Sequence, residues 1–138
     1  MDDKVCTHVA LFNKTFRALF NSVLAKGPNA ELEMIRDRAF RATSIDPQIL
    51  VQKIGPYLFK YNHFINDNDA EGFLGSQVCE SELSREASSD AEQARRVFVH
   101  LKAVYETVQD SVKVKYMKAI EQLLDQYIEY ACAVEKTG

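Results

Sequence analysis

The feature that most restricts the fold is a run of apolar residues at alternating steps of four and three: Val5, Val9, Phe12, Phe16, Leu19 and Val23. An α-helix turns once in about 3.6 residues, so this spacing puts all six on one side and leaves the intervening polar residues for solvent. Phe20 and Leu24 widen the stripe. Gly27-Pro28 ends it, because glycine accepts a left-handed cap and proline cannot extend the ladder. The period returns in Ala94, Val97, Phe98, Leu101, Val104, Tyr105 and Val108, behind a capping box at Ser89-Asp90-Ala91-Glu92. It returns again, after a turn at Gln109-Asp110-Ser111, in Met117, Ile120, Leu124, Tyr127, Ala131 and Val134.

Two weaker segments complete the series. A helix is expected after Asn29, with Glu31 and Glu33 at its positive start and Leu32, Ile35, Ala39 and Ala42 on its buried face. Another should begin at Asp46-Pro47, where the aspartate accepts from free amides and the proline is preset for the first turn. Gly55-Pro56 should kink or break it before Tyr57, Leu58, Tyr61, Phe64 and Ile65 resume an apolar surface. No strand pairing or internal repeat is evident. The expectation is an all-α fold: a single domain over residues 1–138, built as an antiparallel bundle of about five helices with one longer acidic connector.

Composition agrees. The 138 residues are 46% hydrophobic and include only 5 Gly and 3 Pro, enough for a real core in a domain that buries roughly two-thirds of its unfolded surface. No run approaches the roughly 20 apolar residues of a membrane span, and Met1-Asp2-Asp3-Lys4 lacks the pattern of a secretory signal, so a protein of the cell interior without membrane contact is expected. Cys6, Cys79 and Cys132 are odd in number and form no CxxC pair, which suits reduced thiols. Charge is uneven within the net of −3. Residues 63–92 hold eight acids against the single Arg85, and within this stretch residues 66–89 are expected to be a loop-like, mobile connector.

Chemistry-bearing motifs are sparse. Asp67-Asn68-Asp69-Ala70-Glu71-Gly72 opens like a calcium loop, but its twelfth position is Val78 where a bidentate glutamate belongs. Cys6 and His8 make half a zinc site with no second pair. Neither His63 nor His100 has the base, orienter and nucleophile of a catalytic set nearby, so no enzyme, cofactor or metal is expected. Two small basic sets, Arg36, Arg38 and Arg41 together with Lys113, Lys115 and Lys118, would serve a nucleic-acid-associated factor if the fold gathers them on one face. A pI near 5.6 argues against that alternative.

Aromatic residues are the better lead. Phe12, Phe16, Phe20, Phe40, Phe64 and Phe98 follow the stripes and are expected in the core, whereas Phe59, Phe73, Tyr116 and Tyr130 fall off them and are expected at a partner-binding surface. The leading expectation is a non-enzymatic protein-interaction protein with a protein partner, self-association included.

Three stretches carry a resemblance: His8 with Leu11-Phe12 and Phe16; Asp46-Pro47 through Pro56-Tyr57 to Asp69 and Phe73-Leu74; and Lys115-Tyr116 leading into Leu123-Leu124. In their order along the chain these resemble a family of short uncharacterised proteins of nucleocytoplasmic large DNA viruses. The resemblance implies a viral protein of the host-cell cytoplasm or the virion. It implies no reaction, cofactor or binding residue.

Overall fold

The computed structural model describes residues 3–83 and 89–137, the side chains of 77–83, 89–94 and 137 excepted. Among these residues there are seven helices and no strand: α1 (Asp3–Lys26), α2 (Ala30–Ile45), α3 (Ile49–Lys60), α4 (Asn62–Asn66), α5 (Ala70–Leu83), α6 (Ser89–Tyr105) and α7 (Asp110–Thr137). The expected all-α bundle is what forms, with seven helices among the described residues rather than about five. Its centre is the pairing of α1 with α7, the most extensive helix–helix contact in the fold. The pair is antiparallel, as the Tyr116 hydroxyl near the start of α7 donates to the Ser22 carbonyl near the end of α1 at 3.5 Å. Helix α3 packs on α7, α6 and α1; α5 packs on α6; α2 leans on α3, α1 and α6 from outside.

The α1 stripe is buried as its spacing requires, with Val5, Val9, Phe12, Phe16, Leu19 and Val23 all in the core. Helix α2 starts where Asn29 accepts from the Leu32 amide at 3.1 Å, satisfying one free donor of the first turn. Asp46 then ends α2 rather than starting α3. Its backbone N–H donates to Ala42 and its side chain accepts from the Gln48 amide, so the chain turns at Pro47-Gln48 and α3 begins at Ile49.

Gly55-Pro56 does not break α3, which continues to Lys60. Proline removes one ladder hydrogen bond at a cost of about 3 kcal/mol, but Val51, Ile54 and Leu58 bury on both sides of it and hold the segment helical. Gly55 is needed for another reason: the Tyr127 ring lies directly against it, in the space a Cβ would occupy. The break comes at Tyr61, after which the short α4 runs to Asn66.

The acidic connector is the main departure. Residues 70–83 form α5 rather than a loop, because Ala70, Phe73 and Leu74 supply a buried face despite the polar composition. Residues 84–88 of the connector lie outside the described residues. Asn68, at φ 55°, makes the tight turn into α5 that asparagine tolerates better than most residues.

Candidate functional site

Three of the four aromatics expected at the surface are core residues. Phe73 is fully buried, with the rings of Tyr61 and Phe98 edge-on at 6.0 and 5.4 Å. Tyr116 is buried between α1 and α7. Tyr130 is buried with its hydroxyl donating to Gln48 Oε1 at 2.8 Å and accepting from Gln52 Nε2 at 3.2 Å, which ties α7 to the start of α3. The reason is register. In α7 the buried line is Tyr116, Ile120, Leu123 and Tyr130, with Met117 and Leu124 beside it, a four-and-three spacing displaced from the Met117–Val134 stripe. Only Phe59 remains outside, 50% exposed and edge-on to Tyr127 at 6.4 Å.

The two basic sets are not gathered. Each has spacing i, i+2, i+5, and at about 100° per residue the first two members of such a set point to opposite sides of their helix. Arg36 turns toward α1, where it reaches Asn21 Oδ1 at 3.4 Å and pairs with Asp37. Lys113 stands over the Tyr105 ring at 5.3 Å and lies 3.8 Å from Asp110. Lys113 and Lys118 border a depression beside Asn68 and Met117, whereas Arg38 borders a groove beside Phe16 and Phe20. Lys115 is exposed on α7 away from Lys113.

The calcium-like turn is a helix cap. Asp69 Oδ1 accepts from the Gly72 amide at 2.9 Å, three residues on, in the geometry of an N-cap for α5. Among the described residues no three His, Cys, Asp or Glu side chains come together for a metal. Cys6 on α1 and Cys132 on α7 are exposed and not in a disulfide, and the side chain of Cys79 lies outside the described residues. His100 donates from Nε2 to the Gly27 carbonyl at 2.6 Å, fastening α6 to the turn after α1. The depression around Tyr105 holds Glu71, Lys102, Glu106 and Lys113. Lys102 donates to Glu106 and holds that carboxyl below its ordinary value by this hydrogen bond, while burial, then Glu71 and Asp110, push the Tyr105 phenol up. These are exposed ion pairs of small energetic weight.

Among the described residues, a groove under α2 has predominantly apolar walls. Helix α2 buries a single side chain, Leu32, and the rest of its inner face stands partly open. The cause lies in residue size. Ile35, Ala39 and Ala42 face the groove from α2 while Phe16 and Phe20 of α1 and Leu50 and Ile54 of α3 form its floor, and the two alanine methyl groups beyond Ile35 leave a gap opposite such side chains. The space left is about 190 Å³, lined also by Val97 of α6, with the exposed Arg38 and Lys53 at its rim and no carboxylate among its lining residues. Such a site holds an apolar group by exclusion of water and favours an anion at its edge. Its ionisable lining residues are Arg38 and Lys53, with no histidine, cysteine, serine or carboxylate beside them. No protein-family model, curated protein or solved structure matches the chain.

Proposed function

We propose that this protein acts by contact rather than by catalysis, and that the groove under α2 seats an apolar anchor of a protein partner. One observation carries the reading: an open, apolar-walled groove lined also by the cations Arg38 and Lys53, with no histidine, cysteine, serine or carboxylate among its lining residues. Its volume of about 190 Å³ is below the roughly 300–1,000 Å³ of sites that enclose a whole small ligand, and it matches one or two large side chains. A few buried anchors of this kind supply most of the energy of a protein interface. The resemblance of three sequence stretches to proteins of large DNA viruses supports placing this contact in an infected cell or a virion.

The test is quantitative mass spectrometry of proteins captured from the native host cell by the wild type and by Ala42→Leu, which fills the groove, each with and without nuclease. A stoichiometric protein partner that survives nuclease and is depleted at least tenfold by Ala42→Leu supports the reading. Partners unaffected by Ala42→Leu, or lost on nuclease treatment, overturn it in favour of another surface or of nucleic-acid association through the basic residues.

A further inference from the structure

Beside the groove, α2 carries a second stripe. Met34, Arg38, Arg41 and Ile45 are spaced four, three and four residues apart, which aligns them along one side of the helix over about three turns. Apolar residues at this spacing normally face a core. Here Met34 is 57% and Ile45 89% exposed, and Arg38 and Arg41 between them are exposed as well. Within the described residues no ion pair engages Arg38 or Arg41. The stripe flanks the groove, since Arg38 belongs to both. A helix with one buried residue in 16 thus presents, side by side, an unfilled apolar slot and a line reading apolar, cation, cation, apolar.

From this juxtaposition we infer that the occupant is an acidic amphipathic helix of a partner protein, lying along α2 with aliphatic or aromatic residues in the groove and Asp or Glu opposite Arg38 and Arg41. The inference rests on the contact role proposed above and adds the partner's chemistry. The argument is charge complementarity joined to shape. Carboxylates at one edge of an apolar helical face meet both guanidinium groups, which are planar donors suited to carboxylates. The two exposed apolar ends cover a matching three-turn face, the helix-in-groove mode of recognition. A phosphate backbone would leave Met34, Ile45 and the groove in water, and a basic helix would set like charges against Arg38 and Arg41.

The test uses the full chain and a fluorescein-labelled 18-residue helical peptide built on Ala and Gln, with Leu at four-and-three spacing and Glu beside that face. A twin carries Lys in place of Glu. Anisotropy titration should give saturable binding of the acidic peptide and roughly tenfold weaker binding of the basic one. Arg38→Glu with Arg41→Glu should invert that preference, Ala42→Leu should weaken both peptides alike, and Lys115→Glu on α7 should change neither. Equal affinity for the two peptides, or indifference to the double reversal, overturns the inference. So does displacement of the acidic peptide by decanoate at lower concentration than by unlabelled peptide, which would assign the groove to a small amphiphile. A dimer in size-exclusion chromatography that the double reversal dissociates would likewise assign the stripe to a second copy of the chain. If Ala42→Leu removes the cellular partner while the peptides show no charge preference, the contact role stands and this partner chemistry falls.

Discussion

Tyr105 shows how far local surroundings bend the chemistry of one side chain. Its phenol titrates above the ordinary value near 10, first because it is partly desolvated and then because Glu71 and Asp110 oppose a phenolate. A group whose folded pKa is raised contributes stability that is present below the unfolded value and lost as pH climbs through the folded one. The difference in absorbance at 295 nm between wild type and Tyr105→Phe should therefore rise at a higher pH than for free tyrosine, and Glu71→Gln should bring it back toward that value. At the same scale, Asp69 shows why a motif can mislead. Its spacing to Gly72 suits a metal loop and an N-cap equally, and only the hydrogen bond to the Gly72 amide decides between them. The stripe of Met34 and Ile45 was missed in the sequence. Their spacing with Arg38 and Arg41 is written in the chain, although nothing in it announces that the stripe stays outside.

At the scale of elements, the strongly periodic helices α1 and α6 follow directly from spacing, since one stripe with one terminator leaves little freedom. Helix α5 does not. Its described buried residues, Ala70, Phe73 and Leu74, are interspersed with Glu71, Gly72, Gly75 and Ser76, and composition alone reads that as a loop until the packing of α5 on α6 is known. Helix α7 was legible as a helix but not in rotation, because apolar residues at both 116 and 117, and at both 123 and 124, allow two stripes one residue apart. Burial takes in both as far as Leu124 and thereafter follows Tyr130 and Ala133, leaving Tyr127 and Ala131 half-buried and Val134 exposed. A measurable consequence is the contrast between two phenylalanines. Phe73→Ala empties a site walled by Tyr61 and Phe98 and should cost about 3–5 kcal/mol in urea unfolding, whereas Phe59→Ala, at a half-exposed position, should cost under about 1 kcal/mol. Comparable losses would mean that α5 is not packed as described.

For the molecule as a whole, long-range ties fix the arrangement that the stripes leave open. The Tyr130 hydroxyl between Gln48 and Gln52, the Asn13 side chain on the Pro47 carbonyl at 2.9 Å and His100 on the Gly27 carbonyl at 2.6 Å each join segments distant in sequence. None has a sequence signature, because each depends on which helices become neighbours. The same holds for the groove: Ala39 and Ala42 look like ordinary core-facing alanines until the phenylalanines opposite them are known. The antiparallel pairing of α1 with α7 has a mechanical corollary. The first turn of α1 and the last turn of α7 lie at the same pole, so tension applied between residues 3 and 137 peels the central pair apart one turn after another. Tension between residues 3 and 110 slides the two helices past each other and loads every turn at once. In an optical trap the first geometry should yield at the lower force, so the bundle is weak along the line joining its own ends and strong across it.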